Sequence, residues 1–225
     1  EIVLPLVCRS DPTERIGGYA VTIILLVRHG ETDWLGEKLA GRLPDIHLNA
    51  KGRAHAELLS GMLQPLSLAA IYSSPLERAM ETAEPTARAA GKPIVRCELL
   101  QEVDFGDLAG KVFSDLREMD LWKLVHRSPE EVRYPGGETL VAAQARAVRA
   151  VEDIHAQYET GTVALFTHSD TIRLAVAHFL HMPFAAYHAL VTDPASVSVL
   201  YYTKKAIHLT GLNLPAGSPL NIKPE

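Results

Sequence analysis

Residues 25–32 read Leu-Leu-Val-Arg-His-Gly-Glu-Thr. A β-prone apolar run that begins at Thr22 stops at Arg28, His29 and Gly30. An apolar strand ending this way delivers a cation and a nucleophile at its carboxyl end, and Gly30 frees the backbone to turn. Open α/β sheets bind their ligands at such strand ends. A phosphate is the natural guest for that pair of side chains.

The rest of the chain supports an α/β reading. Further β-prone runs lie at 69–73, 93–96, 162–167, 196–202 and 206–212, with helical patterns filling most of the gaps. This alternation predicts a three-layer αβα sandwich on a mostly parallel sheet. The last two runs, parted by Thr203-Lys204-Lys205, predict a hairpin and hence one antiparallel edge strand. Asn49 is placed to cap a helix over 49–63 with Ala54, Leu58, Leu59, Met62 and Leu63 as its apolar stripe. Ser74-Pro75 is expected to open a second helix with proline in its first turn, and Pro85 to kink or end it. The longest helical pattern, 138–158, turns Leu140, Ala143, Ala147, Val148, Val151 and Ile154 inward, leaving its arginines elsewhere.

At 225 residues, with 47% hydrophobic and 22% charged content, the chain can bury one good core. We expect one domain over 21–213. Residues 1–20 are expected to be a loosely ordered or non-native extension, and 214–225 a loose tail. Between Val103 and Gly137 the alternation lapses, which predicts a lid-like insertion over the site. A net charge of −5 argues against non-specific nucleic-acid binding, so an anion must be held by a local cationic pocket. No stretch approaches the roughly 20 apolar residues that span a bilayer. Only Cys8 and Cys97 are present, too few for a disulfide framework or a thiolate zinc site, which fits a cytoplasmic location. The histidines outside the motifs lack metal-ligand spacing, so neither a metal nor a cofactor is expected.

Three more elements stand at sheet-to-helix junctions: Ser73-Ser74-Pro75-Leu76-Glu77-Arg78, Glu102 ahead of Val103-Asp104-Phe105-Gly106, and Thr167-His168-Ser169. In this order, after Arg28-His29-Gly30, they resemble the histidine phosphatase superfamily with its phosphoglycerate mutase-like fold, over nearly all of 22–212. The resemblance implies that His29 attacks phosphorus. It also implies that Arg28, Arg78 and His168 hold the phosphoryl oxygens and that Glu102 donates a proton. Thr82 and Pro135-Gly136-Gly137-Glu138 match the family's habits too. Leu35 follows Trp34 where many members have asparagine, and Ser169 follows His168 where many have glycine. Thr32, Arg42 and Ser169 are candidate substrate contacts.

A phosphoryl group in transfer spreads negative charge over its equatorial oxygens, so two arginine forks and an imidazole stabilise it more than they stabilise the ester. The expected activity is metal-independent hydrolysis of a small phosphomonoester through a phosphohistidine at His29. The Phe105-Gly106 pair after the acid resembles the phosphatase branch, where the family's sugar-acid mutases usually carry Tyr-Gly. The alternatives are a phosphoglycerate mutase-like phosphomutase and a non-catalytic phospho-ligand binding protein. The expected partner is a small-molecule substrate, without nucleic acid or membrane, and the hairpin edge near 197–212 is a candidate surface for a homodimer.

Overall fold

A computed structural model describes residues 15–16, 19–204, 206–220 and 222 of the chain. Two short strands, β1 (Arg15–Ile16) and β2 (Tyr19–Ala20), pair antiparallel. A six-stranded sheet follows, from β3 (Thr22–Arg28), β4 (Ala70–Ser73), β5 (Ile94–Arg96), β6 (Gly161–Thr167), β7 (Val197–Tyr202) and β8 (Ile207–Leu214), in the spatial order β5-β4-β6-β3-β7-β8. The contacts β4–β5, β4–β6 and β3–β6 are parallel, whereas β7 runs against both β3 and β8. The antiparallel feature is therefore an edge pair, as the hairpin signal implied, and β7 is the strand that runs against the rest.

The period-two side-chain alternation of β3 divides the core. Ile24 and Leu26 join the larger cluster with α5 (Leu140–His155) and α6 (Ser169–Phe179), while Ile23, Leu25 and Val27 face α1 (Ala50–Leu63) and α2 (Glu77–Ala90). All six residues expected inward on α5 are buried. With both faces covered, β3 must be apolar throughout until it reaches the ligand end.

The stripe expected on α1 is corrected. Leu59 and Leu63 are buried, but with Gly52, Ala56 and Ser60, while Ala54 and Leu58 lie in solvent and Met62 is only partly covered. The cap sets this rotation. The Asn49 side chain accepts the Gly52 N–H at 2.8 Å, and Gly52 lies so close to the turn after β3 that a Cβ there would stand 2.1 Å from the Glu31 carbonyl oxygen. The helix must present its glycine face to that turn.

The second helix is corrected twice. It begins at Glu77 after an extended Leu76, so Pro75 precedes the helix and Arg78 is its second residue. Pro85 does not end it: α2 runs on to Ala90, where Gly91 closes it at φ +63°. An interior proline costs ~3 kcal/mol. Against that cost stand the burial of Ala83 and Ala87 on the α1 side and a 3.0 Å bond from the Ser60 hydroxyl to the Pro85 carbonyl.

Residues 103–137 are more regular than their composition suggests. They hold α3 (Phe113–Glu118) and α4 (Asp120–Arg127), and Val103, Phe105, Leu108, Leu116, Val125, Val132 and Tyr134 enter the larger core. Of the expected loose tail, Leu214 ends β8 and packs with Ala216, Leu220 and Ile222 on the smaller core cluster, while residues 221 and 223–225 lie outside the described residues. Of the expected N-terminal extension, residues 1–14 and 17–18 lie outside the described residues. Among the described residues no helix is long and apolar enough to cross a membrane.

Candidate active site

The strand register brings the motifs together. Arg28 at the end of β3 is level with Thr167 at the end of β6, and the His29 N–H continues the ladder onto the Thr167 carbonyl at 3.0 Å. His29 and His168, 139 positions apart in the chain, thus become neighbours, with ring centroids 5.2 Å apart. On the other side of β6 the Ser74 N–H bonds the Phe166 carbonyl at 2.9 Å, which sets the Ser74 hydroxyl 2.8 Å from His168 Nε2. Ser74, His168 and His29 form a row along the ligand end of the sheet.

His29 is oriented from behind. Its Nδ1 lies 2.7 Å from the Gly30 carbonyl, an acceptor only, so this nitrogen carries the proton and the lone pair sits on Nε2. Arg78 Nε donates to that Nε2 at 3.3 Å, while its Nη2 donates to the Gly41 carbonyl at 2.6 Å. The turn itself is held by Thr82, whose hydroxyl accepts the Gly30 N–H at 2.9 Å and donates to the Arg78 carbonyl at 2.6 Å. One threonine therefore ties the nucleophile candidate to the helix that carries the arginine.

Arg28 donates Nη1 to the Thr192 carbonyl at 2.6 Å. Four buried side-chain nitrogens among the described residues have no hydrogen-bond partner: Arg28 Nε, Arg78 Nη1, His168 Nδ1 and His55 Nδ1. Three of the four belong to the residues that sequence reading assigns to phosphate. A buried unpartnered polar group costs ~1–3 kcal/mol, so two arginine donors and the His168 Nδ1 left without partners at one sheet end mark a place suited to an anion.

Burial makes this charge arrangement unusual. Desolvation, with Arg78 and Arg28 nearby, holds His29 well below the usual imidazole range, and desolvation with Arg78 and His29 does the same for His168. Both rings are neutral at neutral pH. Desolvation also lowers Arg28, and brings Arg78 down to about 10, still charged. Glu102 moves the opposite way. Burial, then the negative charge of Asp170, raises its carboxyl, against the Val103 N–H and the two arginines. A neutral imidazole and a carboxyl shifted toward its acid form thus lie within the field of the same two arginines.

Glu102 lies at the start of α6. Its Oε1 accepts the Val103 N–H at 3.0 Å and both the N–H and hydroxyl of Thr171 at 3.3 Å. Asp104, by contrast, has a partly exposed side chain and accepts the Gly106 N–H at 3.0 Å, a local turn role. Gly106 has φ +50°, and a Cβ there would lie 2.0 Å from the Pro135 carbonyl oxygen. The Asp104-Phe105-Gly106 and Pro135-Gly136-Gly137 turns interlock at that point, which fixes the chain just after Glu102.

The candidate substrate contacts divide. Arg42 gives Nε to the Glu102 carbonyl at 2.8 Å and Nη2 to Glu138 at 2.9 Å, so its guanidinium braces the acid's loop. Ser169 shares a 2.9 Å hydroxyl contact with Thr192, beside Arg28. Thr32 is buried and bridges to Leu48. Sequence reading missed Ser74, Thr192 and Arg146. Arg146, counted among the outward arginines of α5, instead donates to Glu138 at 2.7 Å and to the Leu99 and Gln101 carbonyls at 2.8 Å each. Its only sequence signal is its place eight residues after Glu138 on the same helix approach. No group of three or more His, Cys, Asp or Glu placed to hold a metal ion occurs among the described residues.

The chain resembles known phosphatases in sequence and in fold. The chain is 27% identical over 194 residues to phosphoserine phosphatase 1 of Hydrogenobacter thermophilus, covering 85% of this chain and 92% of that one. It is 33% identical over 174 residues to the uncharacterized phosphatase PhoE of Bacillus subtilis, covering 77% of each. The structure of Bacillus stearothermophilus YhfR superposes with a TM-score of 0.79 at 30% identity, covering 90% of this chain and all of that one. Mycobacterial glucosyl-3-phosphoglycerate phosphatase superposes at 0.77 with 25% identity, covering 86% of this chain and 99% of that one. Residues 24–215 match the histidine phosphatase superfamily (branch 1), and a stretch that takes in both sheet-end histidines, both arginines and Glu102 makes this chain a member of that family.

Proposed function

We propose that the chain hydrolyses small phosphomonoesters, without a metal ion, through a phosphohistidine at His29. The observation that carries this reading is the set of unpartnered buried nitrogens on Arg28, Arg78 and His168 around a neutral His29. The substrate phosphate takes those donors as its equatorial partners. His29 Nε2 attacks phosphorus in line, forming the P–N bond as the P–O bond to the alcohol breaks. Glu102 delivers its proton to the departing oxygen and becomes a carboxylate. Water enters, Glu102 takes a proton from it, and the oxygen attacks phosphorus to release inorganic phosphate and neutral His29. The arginines supply the positive charge that a metal supplies in other phosphatases.

Two named relatives act on small phosphomonoesters, phosphoserine and glucosyl-3-phosphoglycerate, which supports the same substrate class here. The test is release of inorganic phosphate from a panel of phosphorylated metabolites in EDTA. Release that survives EDTA and vanishes in His29→Ala supports the proposal. Transfer between phosphoglycerates without release would make the protein a mutase, and binding without either would make it a phospho-ligand binding protein.

A further inference from the structure

Asp170 is a second carboxylate beside the proposed acid, and the mechanism gives it no task. It follows His168-Ser169 in the first turn of α6, and its backbone N–H points to Glu102 Oε2 at 3.5 Å. Its side chain is paired with Arg173, one turn on, with Oδ1 accepting Nη1 at 2.8 Å. Arg173 has no freedom left. Its Nη2 meets His188 Nδ1 at 3.1 Å, its Nε donates to the Tyr187 carbonyl at 3.4 Å, and its guanidinium carbon lies 5.1 Å from the Tyr187 ring centroid. His188 Nε2 lies 2.7 Å from the Val125 carbonyl on α4, which can only accept a hydrogen bond, so Nε2 carries the hydrogen. That fixes His188 as the neutral Nε2–H tautomer, so its Nδ1 lone pair is free to receive Arg173.

We infer that Asp170 and Arg173 are positioning residues that set the protonation state of Glu102: Asp170 keeps the acid loaded, and Arg173, braced by His188, which is itself anchored to the Val125 carbonyl of α4, limits how strongly it does so. This rests on the reading of Glu102 as the proton donor. The charged and titratable groups around Glu102 are Arg28 and His29 from β3, Arg78 from α2, and His168 and Asp170 where β6 passes into α6. Arg42, Arg146, Glu138, Tyr134 and Tyr187 complete the surroundings. Among these, Asp170 is the negative charge that acts most strongly on Glu102. Partly shielded from solvent, with both side chains of the pair largely covered, the Asp170–Arg173 couple acts through protein more than through water. A negative charge at Asp170 favours the acid form of Glu102, and the cation paired with it offsets part of that charge.

The test is the alkaline limb of kcat/KM for phenyl phosphate, which reports phosphoenzyme formation and needs a proton on the leaving phenoxide, of pKa about 10. Asp170→Asn is expected to move that limb down by about one pH unit, and Arg173→Met to move it up by a similar amount, by the Coulomb interaction of partly buried charges. Arg173→Lys, which keeps the cation, should stay close to the parent. The double variant should behave as Asp170→Asn, because Arg173 acts through Asp170. Circular dichroism of each variant confirms folding. Shifts of the same sign in both single variants, or no shift in folded protein, overturn the inference. Glu102→Gln separates the two levels. If it abolishes the limb and the Asp170 and Arg173 variants leave the limb in place, only this inference fails. If it leaves the limb intact, the proton-donor reading fails and takes this inference with it.

Discussion

Glu102→Gln removes one proton and almost nothing else. The amide oxygen can still accept from Val103 and Thr171, and the amide nitrogen replaces the oxygen that lies 3.5 Å from the Asp170 backbone nitrogen. The volume is unchanged, so the fold and the phosphate-binding donors stay in place. General acid catalysis contributes about 10²–10⁴-fold, and its share grows with the basicity of the leaving group. For phenyl phosphate or an alkyl phosphate, kcat/KM should fall by about 10²–10³, which is ~2.7–4.1 kcal/mol of transition-state stabilisation. For p-nitrophenyl phosphate, whose anion leaves without help, the loss should stay within about tenfold. The assay is steady-state kcat/KM for a series of substituted phenyl phosphates, plotted against leaving-group pKa. A variant that slows every substrate equally would refute the reasoning, because a lost hydrogen bond or a distorted pocket is blind to the leaving group.

In ¹⁵N-histidine spectra His29 and His168 should stay neutral well below pH 6.5, and any titration near 6.5 counts against their burial. Because both folded values are depressed, the unfolded chain binds more protons as pH falls below 6.5, so their stabilising contribution is full above that pH and declines toward the folded values. A thermal midpoint that rises between pH 7 and pH 5 would contradict this sign. Gly52→Ala places a methyl group 2.1 Å from the Glu31 carbonyl oxygen, and should cost ~1–3 kcal/mol in denaturant melts while lowering kcat by shifting the Gly30 turn. Leu59→Ala, at a fully buried α1 position, should cost ~2–5 kcal/mol and leave kcat nearly unchanged in the folded fraction. Arg146→Met frees Glu138 and three carbonyls around the acid's loop, those of Leu99, Gln101 and Glu102, and should lower kcat for basic leaving groups more than for p-nitrophenyl phosphate.

The sheet and its ligand end were legible in the sequence because β3, β6 and β7 are buried on both faces, and burial writes continuous apolar runs. His29 was visible because polar residues end such a run abruptly. The exact rotation of α1 was not legible, since its leucines fit two neighbouring stripes and the choice depends on a backbone contact between Gly52 and Glu31. Pro85 misled for a related reason: local propensity forbids it inside a helix, and packing of Ala83 and Ala87 overrides that cost. The shell around Glu102 was hidden most deeply. Arg42, Arg146 and Glu138 meet only after the interlocked glycine turns close, so no spacing in the chain records their contact.

The central claim is that one imidazole nitrogen, His29 Nε2, carries the phosphoryl group. The direct measurement is rapid quenching of the protein with a phosphomonoester into alkali, followed by mapping of the bound phosphate on peptides. The account predicts one acid-labile, alkali-stable phosphate on the peptide bearing His29, formed and lost at rates that match turnover and absent from His29→Ala. Phosphate found on another residue, or full turnover by His29→Ala, would contradict it.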